Sequence, residues 1–162
     1  MRNVLMTICL MLCHIAIAQP VPSFTFHESG QNVFFYTSLD MQNVRVAVYP
    51  YVEEGNVGIL GVYVIGAMGD ALSIRLGEEY LYCQKGVLAV NSRNYDNSLM
   101  TLYEQPDYGS APTGTSSKQQ TLRIYDCFEG WLLVKGVDDI GTEIIGWLPQ
   151  EMQCPNPWTT CT

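Results

Sequence analysis

The chain lacks the apolar spacing of a helix, and this feature most limits the folds that it can adopt. After the first twenty residues, no segment places apolar side chains at positions i, i+3, i+4 and i+7. Short runs rich in Val, Ile, Tyr, Phe and Leu occur instead, separated by Gly, Asn, Asp and Pro. The runs are 33–36, 44–49, 59–65, 71–76, 80–83, 87–90, 99–103, 121–125, 131–135 and 143–148. This pattern predicts an all-β barrel or sandwich.

Residues 1–18 have the features of a secretory signal. Arg2 is the only charged residue of this segment, and residues 4–12 are almost entirely apolar. Ala16 and Ala18 supply the small side chains that signal peptidase accepts. We therefore expect cleavage before Gln19 and an exported chain, periplasmic or secreted. An uncleaved anchor is the alternative, although the apolar stretch is short for a membrane span of about 20 residues.

The charge balance excludes several classes of partner. Eight Lys and Arg stand against sixteen Asp and Glu, a formal net charge of −8, and loss of Arg2 with the signal would make it −9. An apolar content of 48 % argues against a chain kept disordered by its charge. Proteins that bind nucleic acid gather Lys and Arg, so no nucleic-acid partner is expected. No second apolar run of membrane length follows, so we expect no membrane span after signal cleavage.

Four cysteines would remain after cleavage: Cys83, Cys127, Cys154 and Cys161. An even number in an exported chain favours disulfides, and three connectivities are possible. Cys154 and Cys161 enclose a short segment with two prolines, which favours a tight loop, so we predict a bridge between them. A second bridge between Cys83 and Cys127 would complete the set. Free buried thiols are the alternative, because a buried Cys packs as a small hydrophobic residue.

One sequence pattern occurs twice. Residues 69–84 and residues 126–149 each read as a strand, a hairpin and an aromatic-bearing strand, and Trp147 corresponds to Tyr82 in this match. Because a repeat fixes the architecture, we predict two small barrels in tandem. The expected parts are a barrel at 31–92, a linker at 91–97, a barrel at 97–152 and a disulfide-closed tail at 153–162.

The second copy carries motifs that point to a known family. The matching segments are 99–106 with its proline, 109–117 rich in Gly, Ser and Pro, 118–125, Gly130-Trp131 with the strand after it, and Gly146-Trp147-Leu148. In this order and spacing they resemble bacterial SH3-like domains, and the tail is similar to those of exported Bacteroidetes proteins with this domain. The resemblance implies SH3-like barrels that accompany cell-wall enzymes or bind a ligand.

The Gly-Trp pairs also suggest how such a barrel is stabilised. A unit of about 60 residues buries only a modest fraction of its surface, so we expect the large rings of Trp131 and Trp147 to be buried. Gly130 and Gly146 would let the backbone approach closely at a barrel corner.

Motifs for catalysis or metal binding are not apparent. A Cys–His peptidase needs a base beside its thiolate, and His27, the single histidine after the signal, precedes the first strand. The cysteines lack the short spacing of a zinc site. The carboxylates considered were Asp138, Asp139 and Glu143 for calcium, and Glu53-Glu54 and Glu78-Glu79 for glycoside hydrolysis. None has the required pattern, so we expect no enzyme activity, cofactor or metal.

Aromatic residues are the features of the sequence that indicate ligand binding. Tyr49, Tyr51, Tyr103, Tyr108 and Trp158 fall in loops or at strand ends, where an SH3-like fold presents a groove for extended peptides or sugars. Packing of each ring within its own barrel is the alternative. The hypothesis is a non-enzymatic binding module at the cell envelope, with a peptidoglycan-derived or extended peptide or glycan ligand. The rival is an interaction or inhibitory partner of a secreted enzyme.

Overall fold

The protein is all-β, as the sequence predicts. The computed structural model describes residues 19–26, 30–49, 58–95, 98–156 and 161, and within them it contains strands and a short 3₁₀ helix but no α-helix. The strands are β1 (Val21–Thr25), β2 (Val33–Tyr36), β3 (Val44–Val48), β4 (Gly61–Met68), β5 (Ala71–Leu76), β6 (Glu79–Gln84), β7 (Leu88–Ser92), β8 (Met100–Tyr103), β9 (Pro112–Ser116), β10 (Thr121–Phe128), β11 (Trp131–Val137), β12 (Glu143–Leu148) and β13 (Gln153–Cys154). The 3₁₀ helix is Gln150–Met152.

The strands form one open antiparallel sheet. Its order is β3-β2-β6-β5-β4-β1-β7-β10-β11-β12-β8-β9, and β13 adds to β7. The order on one side of β1 and β7 is β4-β5-β6-β2-β3, and on the other side it is β10-β11-β12-β8-β9, so the sheet has two halves with the same connectivity. Closure of each half into a barrel remains a prediction.

Two details of the hydrogen-bonded ladder support the correspondence between the halves. Tyr82 on β6 pairs with Tyr36 on β2, and Trp147 on β12 pairs with Tyr103 on β8. Tyr82 and Trp147 thus occupy similar places in the strand order, which agrees with their match in the sequence. The register also shifts within β4 and within β10, the equivalent strands that begin each three-stranded meander.

Three strands occur where the sequence analysis placed none. β1 precedes the predicted first barrel, β13 lies in the predicted tail, and β9 lies in a segment assigned to a loop. β9 contains Pro112 and Gly114, residues that normally mark turns. It ends the strand order, and Pro is tolerated on an edge strand because the edge has N–H groups without ladder partners.

The core is aliphatic rather than built around tryptophan. Alternate residues of the strands point inward, and the largest fully buried side chains are Phe35, Leu72, Ile74, Leu88, Met100, Leu102, Leu122, Ile124, Leu132 and Leu148. Each contributes on the order of 1.5–3 kcal/mol by burial. Trp131 and Trp147 are only partly buried, so their rings are less enclosed than the sequence analysis expected. Both lie on the outer face, because Leu132 and Leu148 beside them point inward.

Gly146 allows β12 to approach β8 and β9 closely. A Cβ at this position would lie 2.3 Å from Thr113 Oγ1 and 2.9 Å from both Leu102 Cβ and the Tyr103 carbonyl oxygen. Such separations are far shorter than ordinary carbon contacts. The glycine of this Gly-Trp pair is therefore required by packing, as the sequence analysis expected.

Substitution of Gly146 by Ala should lower the free energy of unfolding by about 1–3 kcal/mol, because the methyl group overfills a packed site. The matched control is Gly66→Ala on β4, where a Cβ would meet nothing within 4 Å. That change should alter the stability by no more than about 0.5 kcal/mol. Urea unfolding followed by circular dichroism measures both. Equal destabilisation by the two substitutions would contradict this account of the close approach.

The predicted Cys154–Cys161 bridge is present and fastens the tail near β7. Cys154 pairs with Asn91 in the ladder, and the backbone N–H of Cys161 donates a hydrogen bond of 3.0 Å to the Tyr95 hydroxyl. Asn91 Nδ2 also donates to the Asn156 carbonyl at 3.1 Å. The tail is thus attached to the middle of the sheet by a covalent bond and by hydrogen bonds.

The predicted Cys83–Cys127 bridge is wrong, because both residues are free, buried thiols. Cys83 pairs with Leu72 on β5, whereas the Cys127 Sγ contacts the Val64 carbonyl oxygen on β4 at 3.9 Å. Burial raises the pKa of Cys83 to about 12 and that of Cys127 to about 11. The thiolate is the reactive form of cysteine, so both side chains are unreactive in the folded chain.

Alkylation should distinguish these thiols from the bridge. In the folded chain beginning at Gln19, iodoacetamide should modify neither Cys83 nor Cys127, because both are buried and protonated. In denaturant without reductant, intact mass should show two modifications, and prior reduction should raise the number to four. An unmodified denatured, unreduced chain would instead indicate a second bridge.

Candidate ligand-binding surface

Three aromatic rings meet on the outer face of the C-terminal half. The ring centroids of Tyr103 and Trp131 are 5.8 Å apart, and those of Tyr108 and Trp131 are 4.8 Å apart. Tyr103 and Tyr108 lie 5.9 Å apart with an interplanar angle of 80°. Aromatic pairs attract each other at these separations. The group formed by Tyr103, Tyr108, Trp131 and Glu151 is called the aromatic surface below.

Tyr108 is presented by the loop between β8 and β9, which is closed by its own hydrogen bonds. The Glu104 N–H donates to the Ala111 carbonyl at 2.9 Å, across the base of the loop. Inside it, the Ser110 hydroxyl accepts from the Gln105 N–H at 3.1 Å and donates to the Gln105 carbonyl at 3.2 Å. These bonds hold the loop in one shape, so the Tyr108 ring is fixed against its neighbours although 59 % of the residue is exposed.

Trp131 is positioned by the tight turn between β10 and β11. Glu129 and Gly130 both have positive φ, 47° and 87°, so the chain reverses immediately before the indole. The buried Gln153 side chain supports this turn, because its Nε2 donates to the Gly130 carbonyl at 2.8 Å and to the Leu148 carbonyl at 3.1 Å. The start of β11 is thereby joined to the end of β12.

Glu151 connects the 3₁₀ helix to the rings. The Tyr108 hydroxyl donates a hydrogen bond to the Glu151 carboxylate. Desolvation, followed by this hydrogen bond and the negative charge of Glu151, raises the pKa of Tyr108 to about 12. The phenol therefore remains protonated, and a donor, at any physiological pH.

A cleft of about 420 Å³ adjoins the aromatic surface. Its lining residues are Gln105, Pro106, Asp126, Cys127, Phe128 and Trp147. Trp147 pairs with Tyr103 in the ladder, and Gln105 and Pro106 belong to the loop that carries Tyr108, so the cleft lies next to the aromatic surface. The cleft and the aromatic surface together are called the groove below.

Carboxylates surround this groove. Glu104 and Asp107 lie in the β8–β9 loop, Glu129 lies in the turn before Trp131, and Glu151 lies in the 3₁₀ helix. All four are exposed. Their charges give the groove a negative rim, which disfavours anionic ligands.

The structure brings together two of the five predicted ligand-binding residues. Tyr103 and Tyr108 share the aromatic surface. Tyr49 follows β3, which ends the strand order on the other side of the sheet, and it is 56 % exposed. Tyr51 and Trp158 lie outside the described residues, as does His27.

Sequence reasoning missed Trp131 as a member of the surface. Its Gly-Trp motif suggested a core residue at a barrel corner. The signal that could have placed it outside was the alternation of β11, in which Leu132 and Val134 occupy the inward positions.

The loop carboxylates considered for calcium have structural partners. The Ser117 N–H donates to Asp139 at 2.8 Å, and this bond with that of the Ser117 hydroxyl lowers the pKa of Asp139. Asp138 accepts from the N–H groups of Ile140 and Thr142 within the β11–β12 hairpin. Among the described residues, no group of three or more His, Cys, Asp and Glu could hold a metal ion. In the same part of the chain, no helix has the length and apolar character to span a membrane.

Comparison with known proteins finds only distant structural likeness. No protein-family model and no curated protein matches the sequence. NlpC2 from Trichomonas vaginalis is 12 % identical with a TM-score of 0.35, over 90 % of this chain and 51 % of that one. NlpC1 from the same organism is 12 % identical with a TM-score of 0.34, over 85 % and 46 %. The chain thus spans about half the length of these proteins, and likeness at this level does not establish the family or the activity.

Replacement of Glu151 by Gln should lower the pKa of Tyr108 from about 12 towards its ordinary value of 10, because the negative charge beside the phenol is removed. A pH titration of the tyrosine Cζ resonances by NMR measures this shift. The control, Glu104→Gln, removes an exposed carboxylate from the rim without removing the Glu151 partner of Tyr108. An unchanged Tyr108 titration in the Glu151 variant would contradict the assigned hydrogen bond.

Proposed function

We propose that this protein is an exported, non-enzymatic binding protein of two SH3-like β modules that acts at the cell envelope. The aromatic surface and the adjoining cleft would bind a peptidoglycan-derived ligand, an extended peptide or a glycan. The observation that carries the proposal is the contact of Tyr103, Tyr108 and Trp131 on an open face of the sheet. The rings hold one another in place, so little side-chain freedom would be lost on binding.

The order of elements in the C-terminal half supports an SH3-like module. A strand and a long loop lead into β9, a three-stranded meander follows, and a 3₁₀ helix precedes the last short strand. The loop contributes Tyr108 to the aromatic surface, the start of β11 contributes Trp131, and the 3₁₀ helix contributes Glu151. Segments distant in sequence thus converge on one groove, as expected of a binding site.

The chemistry of the groove favours recognition over reaction. Cys127 lines the cleft, but its thiol is buried and its pKa is raised to about 11. A nucleophile for catalysis needs a lowered pKa or a neighbouring base. The Tyr108 phenol is likewise held in its protonated form. What the groove offers is flat rings, hydrogen-bond donors and a negative rim, which suit an extended ligand with polar or cationic groups.

Cosedimentation with purified peptidoglycan tests the proposal. The chain beginning at Gln19 should be retained, and Trp131→Ala should reduce its affinity at least about tenfold, because buried indoles often dominate binding energy. Tyr108→Phe should retain more affinity than Tyr108→Ala, since it keeps the ring. Soluble muropeptides followed by tryptophan fluorescence give the same ranking without the insoluble wall.

The matched control is Tyr80→Ala, which removes a ring that is 67 % exposed on β6, outside the aromatic surface. It should bind as the unsubstituted chain does. Circular dichroism and the thermal midpoint establish that each variant is folded. Retention no greater than that of an unrelated acidic protein, or full binding by a folded Trp131 variant, would overturn the proposal.

A further inference from the structure

The C-terminal tail reaches the aromatic surface through one buried side chain. Gln153 on β13 is 8 % exposed, and its Nε2 donates to the Gly130 carbonyl at 2.8 Å and to the Leu148 carbonyl at 3.1 Å. Both hydrogens of the side-chain amide are thus engaged by backbone, one in the turn before β11 and one at the end of β12. Gly130 immediately precedes Trp131, so Gln153 acts on the turn that presents the indole.

That turn contains a residue in an uncommon backbone conformation. Phe128 pairs with Trp131, so a two-residue turn joins β10 to β11. Its residues, Glu129 and Gly130, have φ of 47° and 87°. Positive φ costs glycine little, but it is uncommon for a glutamate, and such a residue persists where the surrounding structure holds it. Gln153 supplies such a hold, because it bonds to the carbonyl of the second turn residue.

The equivalent turn of the N-terminal half receives a backbone hydrogen bond instead. Asp70 is the last residue between β4 and β5, as Gly130 is between β10 and β11. The Asp70 carbonyl accepts from the Lys85 N–H at 3.3 Å. β5 then begins with Ala71, which is buried, whereas β11 begins with the partly exposed Trp131. The side-chain contact and the indole on the outer face therefore occur together in the C-terminal half.

β13 is held against β7 by few ladder bonds and by one covalent bond. Gln153 pairs with Ser92, and Cys154 pairs with Asn91. The bridge from Cys154 to Cys161 closes the chain directly after this two-residue strand. Because a disulfide restricts the conformations of the segment that it closes, the bridge limits how far β13 can move from β7.

The segment before β13 contacts a second ring of the aromatic surface. Glu151 lies two residues before Gln153 and accepts a hydrogen bond from the Tyr108 hydroxyl. The ring centroids of Tyr108 and Trp131 are 4.8 Å apart. One short segment of the tail is thus joined to Tyr108 through Glu151 and to the turn before Trp131 through Gln153. Its displacement would change how the two rings meet.

We propose that Gln153 is a positioning residue of the aromatic surface. It holds the turn before Trp131, so the tail sets the orientation of the indole and, with it, the affinity for a ligand. The Cys154–Cys161 bridge contributes by keeping β13 in place. Gln153 itself is buried and acts through the turn rather than by touching the ligand. The effect on affinity rests on the proposed function, whereas the effect on the rings does not.

NMR of the chain beginning at Gln19 tests the proposal without a ligand. Nuclear Overhauser effects between the Tyr108 and Trp131 rings report their contact, and the Gly130 amide resonance reports the turn. Gln153→Met keeps the length of the side chain but removes both donors, so it should weaken the ring effects and shift the Gly130 amide. The affinity for soluble muropeptides should fall about fivefold, as expected for the loss of hydrogen bonds that fix the site.

Gln120→Met is the matched control, because Gln120 also bonds to backbone. Its Nε2 donates to the Val137 carbonyl at 2.8 Å, and its Oε1 accepts from the Val137 N–H at 2.8 Å. Val137 is the last residue of β11, at the opposite end from Trp131, so the ring effects and the affinity should equal those of the unsubstituted chain. Circular dichroism establishes that both variants are folded. Unchanged ring effects in a folded Gln153 variant, or equal losses in the two glutamine variants, would overturn the proposal.

The role of the bridge is tested separately by Cys161→Ala, which leaves the buried Cys154 in place. This variant should also weaken the ring effects. Tyr95→Phe keeps the bridge and removes the hydrogen bond from the Cys161 N–H, so it should leave them unchanged. Full ring effects in a folded Cys161 variant would contradict the contribution of the bridge. If the unsubstituted chain binds neither peptidoglycan nor muropeptides, the proposed function fails, while the ring effects still decide the role of Gln153.

Discussion

The pairing of β7 with strands on both of its edges is the constraint on which the rest of the structure depends. One edge bonds to β10, and the other is shared along its length by β1 and β13. Leu88, Ala89 and Val90 are all fully buried. Because this strand supplies ladder partners to both halves, the sheet is continuous from one half to the other. The predicted linker at 91–97 begins at the last residues of β7, which pair with β10 and β13.

The division of side chains between the faces explains where ligands could bind. Each meander places aliphatic residues inward, and these residues make up most of the buried core. Tyr103 and Trp131 lie on the outer face, where their rings contact each other, and Trp147 lies beside Tyr103 in the ladder. Gly146 has no side chain on the inner face, so β12 can lie close to β8. This close approach brings Trp147 beside Tyr103.

The sequence predicted the elements that depend on local pattern. Runs of β-forming residues predicted most strands, and the short spacing of Cys154 and Cys161 predicted their bridge. The match of Tyr82 with Trp147 agrees with the similar places of these residues in the strand order. The sequence could not predict β9, because Pro112 and Gly114 are typical of loops. This segment becomes a strand through its pairing with β8. Long-range pairing, rather than intrinsic propensity, decides such a segment.

The same limit applies to the candidate site. Tyr103 and Tyr108 are close in sequence, so a common loop could be inferred from the pattern alone. Trp131 and Glu151 join them only through the turn before β11 and the 3₁₀ helix, which the Gln153 side chain helps to fasten. The two hydrogen bonds of Gln153 depend on the tertiary fold, so they cannot be predicted from hydrophobic periodicity.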